Sequence, residues 1–136
     1  MNNKYYIAPF ILFTLDIIWL SLFMKKRFNR IIKNIQNEEA NYNLIYASIS
    51  YIIMIIGLFI FVLPNITKEN AFNDSLKYGG LFGLVIYGIF DFTNLALFKN
   101  YELSTAIFDV IWGSLLYFGT AYLTFNFTKS TSDMEF

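Results

Sequence analysis

The stretch GGLFGLVIYGIFDFTNLALF, residues 79–98, decides how this chain is read. It contains no Lys, Arg or Glu, and Asp91 is its one charged residue. As a helix it spans about 30 Å, the thickness of the hydrocarbon core of a bilayer. Gly79, Gly83, Tyr87 and Asp91 recur at every fourth position and so share one face. Gly79 and Gly83 form a small-xxx-small pair, the pattern that lets another membrane helix approach closely. The spacing therefore turns Asp91, with Asn94 beside it, toward protein and away from lipid.

Working outward, three more segments are long and apolar enough to cross. The expected spans are 5–24, 43–63, 78–98 and 103–125, with Pro64 closing the second. The fold class is all-α, a polytopic membrane protein built as a bundle of four transmembrane helices. Composition agrees: 57% of the 136 residues are hydrophobic, 21% aromatic and only 15% charged, with a mean hydropathy of +0.49. A soluble domain of this size has no interior large enough for so much apolar surface. The first span is too long for a signal-peptide core and lacks a small-residue cleavage site, so it is read as a retained helix.

The connection KKRFNRIIKNIQNEEANY, residues 25–42, carries Lys25, Lys26, Arg27, Arg30 and Lys33. Short basic connections stay in the cytoplasm. This places loop 25–42 and the turn around Lys99–Glu102 inside, with both termini outside. Phe28, Ile31, Ile32 and Ile35 recur at helical spacing opposite the basic residues, which suggests a short amphipathic helix lying on anionic headgroups. The tail at 127–136 is polar and expected to be disordered. NIT, NDS and NFT fit the glycosylation pattern, but in an Asn-rich chain they carry little weight.

Formal net charge is zero, which provides no field to attract nucleic acid. The chain has no Cys and no His, so disulfides, thiolate or imidazole metal sites and His-based catalysis are excluded. No cofactor is indicated. Any proton or metal chemistry falls to Asp, Glu, Lys, Tyr and backbone oxygen.

Three spans carry an aspartate in related surroundings: LDIIWLSLF with Asp16, FDFTNLALF with Asp91 and FDVIWGSLL with Asp109. Each has Trp19, Asn94 or Trp112 three residues on, a hydrogen-bonding neighbour on its own helix face. Asp16 lies nine residues before Lys25, Asp91 eight before Lys99 and Asp109 seven after Glu102. These separations correspond to about 10–14 Å of helix, so the three acids reach nearly one depth. One aspartate at a helix centre costs roughly 2.5–3.5 kcal/mol on insertion scales. Three facing lipid alone would cost on the order of 7–10 kcal/mol, comparable to the stability of a whole domain. The expectation is that they meet in the bundle interior, where they hold a proton or share a cation. The candidate polar cluster is Asp16, Asp91, Asn94, Asp109, Trp112, Tyr87 and Thr93. Ser48, Ser50 and Tyr51 of the second span are expected to line the same cavity, with Lys99 and Glu102 between it and the cytosol. Trp19 reads as an interfacial anchor and Trp112 as a packed or hydrogen-bonded indole. For any one of these polar residues, structural glue between helices competes with a functional role.

LDIIWL, GGLFGLVIYGIFDFTNLALF and STAIFDVIWGSLL together resemble the domain-of-unknown-function family numbered 2177, small membrane proteins with four predicted spans. The matching pattern is L-D-x-x-W-L, then a Gly-Phe-Gly-Leu stretch leading to Tyr87, Asp91, Thr93, Asn94 and Ala96, then Asp109, Trp112 and Gly113. This chain departs from it with Phe90 in place of a tyrosine and Tyr101-Glu102 in place of a Trp-Pro pair. The resemblance implies the four-span fold and these key positions. It brings no activity.

Three functions fit the residues. The first is transport or small-ligand binding coupled to a proton or cation held by the carboxylates, with Asn94 and Thr93 as neutral ligands. Four helices are few for alternating access, so this reading expects a homo-oligomer. The similarity of LDIIWLSLF to FDVIWGSLL, on spans of opposite direction, is too short to establish a repeat. The second is a structural or accessory subunit whose aspartates lock helices together. The third is a membrane enzyme acting on a lipid with a carboxylate-held metal.

Overall fold

The computed structural model describes residues 3–133, and among them the secondary structure is entirely helical. Four helices are long and apolar enough to cross a membrane: α1 (Lys4–Gln36), α2 (Leu44–Asn65), α3 (Ala71–Leu97) and α4 (Leu103–Asp133). Large apolar side chains such as Phe10, Leu22, Ile45, Ile60 and Ile89 project outward from the bundle, as they do where the solvent is lipid.

Helix α1 is longer than its span. It runs through a π-helical turn at Leu20–Met24 and continues as an α-helix to Gln36, where Asn37 in the left-handed region (φ 60°) closes it. A π-turn takes up one more residue than an α-turn, and it keeps Met24 on the buried side already occupied by Ala8, Leu12 and Asp16. The short amphipathic helix expected within 25–42 is present at Lys25–Gln36, continuous with the first span rather than separate from it. Its twelve residues are the last turns of α1, and they pack on the protein itself. Ile31 is fully buried. Arg30 donates two hydrogen bonds to Glu102, at 2.8 and 2.7 Å. Asn100 Nδ2 donates to the Asn34 carbonyl at 3.2 Å. The Arg27 guanidinium lies 5.2 Å from the Phe108 ring centroid. No proline or glycine interrupts residues 20–36, so nothing stops the helix from propagating.

Helix α2 begins at Asn43, whose side chain accepts from the Ile45 and Tyr46 N–H groups. It ends in a 3₁₀ turn at Pro64, as the proline predicts. Helix α4 also runs beyond its expected end. It continues past Phe125 to Asp133, so the polar stretch expected to be irregular is helical that far. Thr128 donates its hydroxyl back to the carbonyls of Thr124 and Phe125, a bond that lies within the helix. Met134–Phe136 of the expected tail fall outside the described residues.

Helix α4 is the core of the bundle, with 39% of its most apolar window buried against 17–22% in the other three. Leu116, Tyr117 and Ala121 of α4 meet Ala8 and Leu12 of α1 and Leu58, Val62 and Leu63 of α2 in one apolar cluster. Helix α3 lies directly on α4 through the predicted glycine face. A Cβ built at Gly83 would stand 1.9 Å from the Gly113 carbonyl oxygen, and one at Gly79 would stand 2.7 Å from that of Tyr117. Only glycine permits backbones this close. Ser114 Oγ then bonds across to the Gly80 carbonyl at 2.9 Å.

Candidate functional site

Because α4 is central, Asp109 lies between Asp16 on α1 and Asp91 on α3. All three carboxylates are buried: Asp91 is 0% exposed, Asp109 4% and Asp16 5%. Their environments differ sharply.

Asp16 is saturated. Its Oδ2 accepts from the Tyr51 hydroxyl of α2 at 2.6 Å. Its Oδ1 accepts from the Trp112 indole N–H of α4 at 3.1 Å and, more weakly, from the Tyr87 hydroxyl of α3 at 3.3 Å. One side chain thus ties all four helices together, and three donors compensate its removal from water.

Asp91 and Asp109 form a different arrangement. Their carboxyl groups lie within hydrogen-bonding reach of each other across the α3–α4 contact. Asp91 Oδ1 accepts from the Tyr101 hydroxyl at 2.7 Å. Asp91 Oδ2 is buried and meets no N–H or O–H donor. Two carboxylates in contact cannot both carry charge in so dry a place, and a proton on either would turn the contact into a hydrogen bond.

The two tryptophans bridge the halves. Each aspartate has a possible hydrogen-bonding neighbour three positions on in its own helix, and Trp112 in fact reaches over to Asp16 on α1. The Trp19 indole correspondingly faces Asp109 on α4, although its buried N–H falls short of hydrogen-bond geometry. The two rings stack on each other with centroids 4.7 Å apart and planes 8° apart. Trp19 thus packs against Trp112 of α4.

Other candidates separate cleanly. Asn94 is half-buried, with its amide beside the Tyr101 hydroxyl. Thr93 is exposed and outside the cluster. Two residues along a helix rotate a side chain by about 200°, which turns Thr93 away from the face of Asp91. Ser48 and Ser50 are exposed as well, with their hydroxyls bonded to the carbonyls of Leu44 and Tyr46 on their own helix. Tyr51 alone of the second-span candidates joins the cluster. Tyr101 is the residue that sequence reading missed as a donor. It belongs to the short connection between α3 and α4, where no periodicity indicates which way a side chain points.

On the side of the basic connection the structure opens into a cavity of about 680 Å³. It is lined by Lys33, Asn34 and Asn37 at the end of α1 and by Lys99, Asn100, Tyr101 and Glu102 of the α3–α4 connection. Arg30 holds the Glu102 carboxyl below the usual glutamate range by its hydrogen bonds. Burial, reinforced by the bond to Asp91, pushes the Tyr101 hydroxyl well above the ordinary tyrosine value and keeps it a neutral donor.

Four apolar helices surrounding internal acids define a multi-pass integral membrane protein. A family model described as "Predicted membrane protein (DUF2177)" matches residues 2–126, and the chain belongs to that family. The searches of curated proteins and of solved structures gave no match.

Proposed function

We propose that this membrane protein binds and releases a proton at the Asp91–Asp109 pair, and that this step is coupled to passage of a proton, or of a small solute with it, through the bilayer. The observation that carries the reading is the fully buried Asp91 carboxylate, with one oxygen lacking any donor and a second carboxyl beside it. Such an arrangement is costly unless a proton occupies it, and intramembrane acids are the usual elements of proton relays. A proton fits better than a metal, because among the described residues no three acidic side chains are grouped to hold one ion. The basic connection is assigned to the cytoplasm on the strength of its lysines and arginines, which puts both termini outside. A second copy of the chain would supply the helices that four alone lack for alternating access.

The structural reading holds for Asp16, whose three donors from three helices make it a tie rather than a carrier. The two roles are separable by experiment. In liposomes, wild-type protein should show the infrared band of a carboxylic acid at neutral pH. The band should vanish in Asp91→Asn and in Asp109→Asn but survive in Asp16→Asn. Acid-loaded vesicles should lose their pH gradient with wild-type protein and keep it with a folded Asp91→Asn variant. A wild type with no such band, whose flux matches that of Asp91→Asn, would end the proposal.

A further inference from the structure

Building on that reading, we infer that the 680 Å³ cavity is the aqueous port of the carboxylate pair and that the Tyr101 hydroxyl is the relay through which protons pass between them. Tyr101 occupies both places at once. It lines the cavity beside Lys99 and Asn100, while its oxygen lies 2.7 Å from the fully buried Asp91. The cavity is wide and open to solvent, so water fills it. The unpartnered Asp91 Oδ2 marks the inner end of the route as chemically unfinished.

A phenol hydroxyl donates one proton and accepts others. With its own hydrogen directed to Asp91 and the Asn94 amide beside it, the Tyr101 oxygen keeps one lone pair to accept from water on the cavity side. A hydronium there gives its proton to the Tyr101 oxygen as the phenol proton moves to Asp91 Oδ1. Water is left behind, tyrosine stays neutral and Asp91 becomes a carboxylic acid; once that proton has passed on to Asp109, rotation of the hydroxyl restores the starting bond. A metal ion would have to displace the ring, whereas a proton crosses with no side chain moving aside.

Two measurements test this separately from the protonation of the pair. Because the chain has no cysteine, Asp91→Cys creates a single thiol. In oriented vesicles a small charged methanethiosulfonate should reach that thiol only from the side of the basic connection. Adding Tyr101→Ala should accelerate the reaction about tenfold or more, because the ring that stands between the cavity and position 91 is removed. Asp109→Cys takes its place if Asp91→Cys does not fold. Equal rates with and without Tyr101, or reaction only from the opposite face, overturn the port. These outcomes hold whether or not Asp91 carries a proton. For the relay, Tyr101→Phe should slow deuterium exchange of the carboxylic-acid band about tenfold, while Tyr46→Phe on the exposed face leaves it unaltered. Exchange at the wild-type rate in Tyr101→Phe overturns the relay.

Discussion

Replacing Asp16 by alanine removes the shared acceptor of Tyr51, Tyr87 and Trp112 in a single step. All three are partly buried side chains of the spanning helices. Hydrogen bonds to a charged group are worth about 1.5–3 kcal/mol each in soluble proteins. Measured values between membrane helices average nearer 0.6 kcal/mol, because the unfolded chain in the bilayer also finds partners. Two good bonds and one long one therefore bracket the loss at about 2–5 kcal/mol. Asp16→Asn retains an acceptor oxygen and should lose about 1 kcal/mol. The contrast with Asp91 is what makes the test sharp. Asp91→Asn keeps an acceptor for Tyr101 and provides an N–H donor toward Asp109, so it should leave stability unchanged or raise it. Reversible unfolding in mixed micelles, followed by loss of helical circular dichroism, measures all three. If Asp16→Ala loses less than about 1 kcal/mol, or if Asp91→Asn is the more damaging change, the division into a structural tie and a proton pair is wrong.

Gly83→Ala should weaken the bundle by roughly 1–3 kcal/mol, the usual cost of overpacking, because its methyl would stand 1.9 Å from the Gly113 carbonyl oxygen. Gly88→Ala, where nothing lies within 4 Å, should be neutral or stabilising by about 0.5–1 kcal/mol on the same unfolding assay. The Arg30–Glu102 pair should hold at neutral pH. Since folding depresses the Glu102 value, its contribution is complete above the ordinary glutamate pKa of about 4.3 and is lost as pH falls through the lower folded value. Proteolysis of connection 37–43 should therefore increase only under acid, and Arg30→Ala should produce the same sensitivity at neutral pH.

The exposed face of α1 and the run at 79–98 show how much can be read locally. Whether a segment enters a bilayer depends on the transfer free energy of its own residues, summed over twenty positions, and no other part of the chain alters that sum. The four spans, the glycine face of α3 and the burial of Asp16, Asp91 and Asp109 follow in the same way, from hydropathy and helical period. Helix ends were less legible. The π-turn at Leu20–Met24 and the continuation of α4 to Asp133 depend on packing and propagation rather than on any single stop signal.

Partner choice belonged to the tertiary structure alone. Trp112 follows Asp109 by three residues yet bonds Asp16, and Tyr101 reaches Asp91 from a connection without periodicity. Periodicity assigns a side chain to a face but not to the atom opposite it, which depends on how closely and at what height neighbouring helices pack. Here the close contact of α3 on α4 at Gly79 and Gly83 brings Asp91 and Asp109 against each other, while Asp16 on α1 finds its three donors on the other helices.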